Sequence, residues 1–175
     1  KKELSPFYAE EEASAMAKWI SSDILHLSTL ELYTGKDMNF STKEWAELED
    51  ILRRLKQREP LQYILQEASF CGMSFHVEQG VLIPRPETEE LVEWIASDFR
   101  EAGQVRILDI GTGSGCIPVS LAQLLPEAQV SSCDVSTEAL RIAAMNVKRY
   151  GDKVTLFCAD IPVSYTHLRA HETEA

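Results

Sequence analysis

The chain has 175 residues, 45% of them apolar and 26% charged, with a formal net charge of -11. That is enough for one full domain or two small ones around a sizeable core, while the acidic excess speaks against direct nucleic-acid binding. No apolar run reaches the ~18 residues of a membrane span, and the four cysteines form neither a CxxC pair nor a metal-ligand pattern, which fits a reduced, cytoplasmic protein without a metal.

The opening stretch, KKELSPFYAEEEAS, lacks the apolar core of a signal peptide and has no initiator Met, so the natural start is expected upstream. Residues 1–66 read as a small helical bundle. Ser5-Pro6 offers an N-cap with proline at the first helical position, and Ala13, Met16, Ala17, Ile20 and Ile24 recur on one face. Ser28 with Glu31, and Ser41 with Glu44, have the spacing of capping boxes. Trp45, Leu48, Ile51, Leu52 and Leu55 form the next apolar stripe. Arg53, Arg54, Lys56 and Arg58, flanked by Asp50 and Glu59, have the look of a solvated helix face. "LQYIL" predicts one more short helix after Pro60.

At residues 67–83 the period changes. Phe70, Met73, Phe75 and Val77, with glycines at 72 and 80, predict a β-hairpin linker, which Pro84 and Pro86 then stiffen. Glu87 to Arg100 predicts a helix that buries Leu91, Val92, Trp94, Ile95 and Phe99 and stops before Gly103. From Val105 onward strands (105–110, 129–134, 153–158) alternate with helices (about 115–125 and 137–149). That alternation predicts an α/β unit, a parallel sheet wound with helices, over residues 84–162.

The first strand runs into "DIGTGSG". A dinucleotide fingerprint, G-x-G-x-x-G, would need glycine where Cys116 stands; the spacing is instead Asp109, Gly111, Gly113, Gly115. An acid before such a turn resembles motif I of methyltransferases that use S-adenosylmethionine (SAM), where glycines let the backbone approach the ligand. A tight turn without a ligand would give the same letters. Asp134 ends the next strand about 20 residues on, where a carboxylate can accept ribose hydroxyls. Asp160, after the third strand, reads equally well as a turn residue or as part of an adenine site. Arg85-Pro86-Glu87 also fits the ordinary start of a helix, with a favourable acid in the first turn. His26 and His76 lack any partner pattern and read as core or surface residues.

The longer run "EPLQYILQEASFCGMSFHVEQGVLIPRPETEELVEW", followed by "ILDIGTGSGCIPVSLA" and "DVSTEALRIAAMNVKRYG", closely resembles the release-factor glutamine methyltransferases, the PrmC/HemK family, over residues 5 to 161. "IPRPETE" is its most telling piece, since the related ribosomal-protein enzymes read more like Pro-Arg-Ser-Pro there. The resemblance implies a Rossmann-like SAM-dependent transferase of translation termination. It would methylate the glutamine side-chain amide in the GGQ motif of class 1 peptide-chain release factors, gripped in part by the helical domain. It implies SAM contacts from Asp109, Gly111, Thr112, Gly113, Ser114, Gly115, Asp134, Asp160 and Ile161, with Arg85 and Glu87 near the substrate pocket. Family members hold the substrate amide with an Asn-Pro-Pro-Tyr motif after the fourth strand.

That motif is absent from this sequence. Fifteen residues follow Asp160, and a parallel crossover alone takes about a dozen. Residues 163–175, "VSYTHLRAHETEA", show no strand period and match a translated transposon-type sequencing adapter, so they are expected to be a non-native tail. The chain as written is therefore expected to hold the first half of the catalytic domain and to be inactive. Rival readings are a nucleic-acid amino-group methyltransferase, a non-catalytic release-factor-binding fragment, and a nicotinamide-dependent oxidoreductase; the acidic charge, "IPRPETE" and Cys116 weigh against the first and the last.

Overall fold

The computed structural model describes residues 1–25, 27 and 40–161, in two units that divide between Leu65 and Gln66. His26, the Ser28/Glu31 capping box and the tail at 163–175 lie outside the described residues.

In the first unit, helix α1 spans Glu10–Asp23 and opens on Glu10, Glu11 and Glu12, whose carboxylates suit the positive end of the helix. It does not begin at Ser5-Pro6 as predicted. Residues 1–8 instead fold back in tight turns, with Phe7 and Tyr8 donating their N–H groups to the Leu4 carbonyl. This buries Leu4 and brings the Tyr8 hydroxyl to the Leu55 carbonyl at 2.7 Å. Helix α2 (Thr42–Lys56) carries the expected capping box: Ser41 Oγ accepts the Glu44 N–H at 3.2 Å, and Glu44 accepts the Ser41 N–H at 2.7 Å. Its other end is a Schellman turn, with Arg58 at φ +65°, the Arg58 N–H on Leu55 O and the Glu59 N–H on Arg54 O. Helix α3 is Leu61–Leu65.

Leu4, Ala13, Ile20, Ile51, Leu55, Leu61 and Ile64 make one core. Trp45, expected inside, is exposed at the start of the α2 stripe and stacks edge-on against Phe40. The basic stretch behaves as a solvated face: Arg53 pairs with Asp50, Arg54 with Glu59 and Lys56 with Glu3, while Arg58 lies 4.8 Å over the Tyr8 ring.

In the second unit β1 (Glu67–Phe70) and β2 (Met73–His76) form the antiparallel hairpin. Its two-residue turn, Cys71-Gly72, has positive φ at both positions (49° and 70°), which matches the twist of paired strands. Phe70 and Phe75 are fully buried and meet edge to face. Helix α4 spans Pro86–Phe99, with proline where its missing N–H costs nothing. Of its apolar residues only Val92, Ala96 and the partly buried Ile95 turn inward. Leu91, Trp94 and Phe99, predicted to be buried, are exposed, because α4 meets α5 along one narrow stripe.

Strands β3 (Arg106–Ile110), β4 (Gln129–Asp134) and β5 (Val154–Cys158) form a parallel sheet in the order β3-β4-β5, joined by α5 (Cys116–Leu124) and α6 (Thr137–Arg149). Alternation decides what each strand residue meets. Ile107, Val130, Val154 and Leu156 pack with Val119, Leu121 and Ala122 of α5 and Val147 of α6. The other face carries Leu108 (53% exposed), Ile110 (59%) and Phe157 (40%).

Candidate functional site

The glycine turn lies between the end of β3 and the first turn of α5, at the carboxyl edge of the parallel sheet, where open α/β sheets take their ligands. Gly111, Gly113 and Gly115 have φ of +83°, +55° and +79°, conformations that disfavour any side chain. Their surroundings differ. A Cβ on Gly111 or Gly113 would meet no atom within 4 Å, so the turn presents bare backbone to open space. A Cβ on Gly115 would stand 3.2 Å from the Ala143 Cβ, so this glycine lets α5 and α6 approach each other.

Backbone bonds set the shape of the turn. Gly111 and Thr112 donate to the Cys133 carbonyl at 2.9 and 3.1 Å, and Gly115 donates to the Thr112 carbonyl at 2.9 Å. Asp134 then closes the turn from the neighbouring strand: its Oδ2 accepts the Gly113 N–H at 3.0 Å and its Oδ1 the Ser136 N–H at 2.9 Å. A carboxylate has about four lone-pair positions, so each oxygen retains capacity for a ligand hydroxyl. Asp109 accepts the Ser132 hydroxyl at 2.7 Å, which ties the acid before the turn to the middle of the sheet.

Thr112 and Ser114 are buried, and the Thr112 hydroxyl has no hydrogen-bond partner in the structure. A buried orphan hydroxyl is costly unless a ligand completes it. With the open glycine backbone and the carboxylate of Asp134, it makes a donor and acceptor set that fits a polar, ribose-bearing ligand. The loop after β5 joins this edge, since the Ala159 N–H donates to the Asp134 carbonyl at 3.2 Å; Asp160 and Ile161 follow it, both exposed. Cys116, in the first turn of α5, sits where a helix dipole favours a thiolate, but burial prevails and pushes its pKa up to about 11.

Arg85 and Glu87 are exposed at the N-cap and first turn of α4. Among the described residues neither side chain hydrogen-bonds to the glycine turn. His76 is half-buried, with Nε2 3.2 Å from Glu78 Oε1. Two polar residues that sequence reasoning missed hold the site's frame, Ser132 and Asn146. Asn146 could have been found: it falls on the stripe Ala139, Ile142, Ala143, Val147 of α6, where a polar side chain must be buried.

Residues 2–65 match the family model described as the PrmC N-terminal domain, and residues 107–172 match that of a methyltransferase domain. Residues 2–65 belong to the PrmC N-terminal domain family. The chain is 46% identical over 158 residues to the release factor glutamine methyltransferase of Bacteroides thetaiotaomicron, covering 90% of this chain and 56% of that protein. It is 41% identical over 146 residues to the release factor glutamine methyltransferase of Flavobacterium psychrophilum (82% and 51%). For that of Geobacter sulfurreducens the identity is 43% over 147 residues (84% and 51%). The chain thus spans about half the length of these relatives.

Proposed function

We propose that this chain is the helical domain, hairpin and cofactor-binding half of a SAM-dependent protein-glutamine N5-methyltransferase that acts on class 1 release factors in the cytoplasm. The observation that carries the cofactor reading is the bond from Gly113 N–H to Asp134, which aligns an acceptor on β4 with the exposed backbone of the glycine turn. The relatives' names carry the substrate reading.

In this reading Gly111, Gly113 and Gly115 offer backbone to the methionine end of SAM, Thr112 completes its orphan hydroxyl there, and Asp134 accepts the ribose hydroxyls. Asp109 and Ser114 hold the turn, and Asp160 with Ile161 borders the adenine. Arg85 and Glu87 stand towards the substrate. SAM supplies an electrophilic methyl group on a sulfonium. A glutamine amide nitrogen is a poor nucleophile because its lone pair is delocalised, so the enzyme must act by orientation and by polar groups that favour the reactive geometry. The Asn-Pro-Pro-Tyr that does this in the family is not in this sequence, and residues 163–175 are read as a non-native tail. The protein's parts are then a release-factor-binding bundle (1–66), a hairpin linker (67–83) and a partial transferase domain (84–162).

Titration calorimetry of the 175-residue chain with SAM and with NAD tests the cofactor. Binding of SAM without NAD supports the reading, whereas binding of NAD without SAM overturns it. Binding of a purified release factor, against DNA and RNA of equal charge, tests the partner.

A further inference from the structure

Asn146 is wholly buried on α6, and its amide makes three hydrogen bonds that use both of its donors. Oδ1 accepts the His76 N–H at 2.7 Å, and Nδ2 donates to the His76 carbonyl at 2.9 Å and to the Ser114 carbonyl at 2.8 Å. The His76 groups belong to the edge of β2 that faces away from β1. Four residues of helix rise about 6 Å and two residues of strand about 6.7 Å, so the side chain four residues on meets the next outward-facing strand residue. Tyr150 does so: its hydroxyl accepts the Ser74 N–H at 2.9 Å and donates to the Ser74 carbonyl at 2.7 Å. Through this pair α6 takes the place of a neighbouring strand for β2.

Asn146 goes one step further than Tyr150. Ser114 lies between Gly113 and Gly115, which adopt positive φ and lack the Cβ that would restrain the peptide planes of the turn. Holding the Ser114 carbonyl fixes the Ser114–Gly115 plane, which in turn aims the Gly115 N–H at the Thr112 carbonyl, 2.9 Å away. We propose that Asn146 is a positioning residue for the cofactor: one buried amide sets the glycine turn in its ligand-ready shape and couples that shape to the hairpin. This rests on the reading of the turn as the SAM site.

The test compares Asn146→Asp with Tyr150→Phe in the 175-residue chain, reading SAM affinity by calorimetry and backbone amide exchange without ligand. Asp keeps the acceptor for His76 N–H but loses both donors, so SAM affinity falls about tenfold or more and the Gly113 and Gly115 amides lose protection. Tyr150→Phe loosens the hairpin at Ser74 and leaves SAM affinity within about threefold of the parent. Equal losses in the two variants, or an Asn146→Asp chain that no longer folds, overturn the proposal in favour of a general structural role. Unchanged SAM affinity in Asn146→Asp also overturns it. If the parent chain binds no SAM, the cofactor reading fails by itself; the exchange measurement still decides, and unchanged protection at Gly113 and Gly115 overturns the positioning role.

Discussion

The carboxylate of Asp134 accepts the backbone N–H of Gly113 at 3.0 Å, a bond from the end of one strand to the turn that follows its neighbour. Its other oxygen accepts the Ser136 N–H, so one side chain sets both the glycine turn and the start of α6. Hydrogen bonds to a charged group contribute about 1.5–3 kcal/mol each, roughly twice those between neutral partners. Asp134→Ala is therefore expected to weaken SAM binding by about a hundredfold, and Asp134→Asn by less because it keeps an acceptor oxygen. Calorimetry on the three chains checks the order; an Ala variant that binds like the parent contradicts it.

The three glycines should separate stability from binding. Gly115→Ala combines left-handed backbone strain, about 1–2 kcal/mol, with overpacking against Ala143, about 1–3 kcal/mol. Gly113→Ala carries the strain alone, since its Cβ enters open space. That space is where a ligand would lie, so Gly113→Ala should lose on the order of tenfold in SAM affinity through contact with the ligand. Denaturant unfolding and calorimetry are expected to rank the two variants in opposite order, and the same ranking in both would contradict this.

The periodic parts of the fold were legible in the sequence. Alternating strands and helices from Val105 onward, a hairpin within residues 67–83 and the Ser41–Glu44 capping box are local patterns, and each appears where it is expected. What local pattern could not supply was which apolar face finds a partner. Leu91, Trp94 and Phe99 have helical spacing for burial, yet α4 buries only the stripe of Val92, Ile95 and Ala96. Ser5-Pro6 has the right chemistry for a cap, but Tyr8 reaching Leu55 holds the preceding residues in turns. Within the site, Asp109, Asp134 and the glycines were visible as a motif. Asn146 shows in the sequence only as a polar residue on the buried stripe of α6; what it does there depends on His76 and Ser114, which lie 70 and 32 residues away in the chain.

An acid-sensitive cluster joins the hairpin to α6. Arg141 hydrogen-bonds Glu78 and Glu138, and it holds both carboxyls below their usual range, with His76 a smaller influence on Glu78. A carboxyl whose folded pKa is lowered adds stability above its unfolded pKa and loses that contribution as pH falls through the folded value. Arg141→Gln should thus lower the melting temperature at neutral pH, modestly because the groups are solvent-screened. The difference from the parent should close as the medium is acidified below the ordinary carboxylate range, about 4.3 for Glu. A difference that persists in acid would show that Arg141 acts through packing.

The exposed face of the sheet predicts how the chain behaves in solution. Leu108, Ile110 and Phe157 lie together on it, and β3 is an edge strand among the described residues. An apolar face beside an open strand edge favours pairing with another copy. Sedimentation of the 175-residue chain should show concentration-dependent association, and Leu108→Glu should shift it towards monomer. Association unaffected by the added charge would place the contact elsewhere.

The last expectation separates binding from chemistry. SAM recognition in the proposed reading uses the turn after β3 and the ends of β4 and β5, all of which this chain has. Methyl transfer to an amide nitrogen needs in addition groups that hold the amide in line with the sulfonium, and loss of such positioning costs a hundredfold or more in rate, on the order of the effects seen when one preorganised donor is removed. The sequence contains no Asn-Pro-Pro-Tyr. The 175-residue chain should therefore bind SAM and still transfer no tritiated methyl group to a purified release factor. Transfer above the no-enzyme background would mean that residues already present, with Arg85 and Glu87 the first to test, can orient the amide. Loss of that activity in Arg85→Ala or Glu87→Gln, with SAM affinity unchanged, would then identify the orienting group.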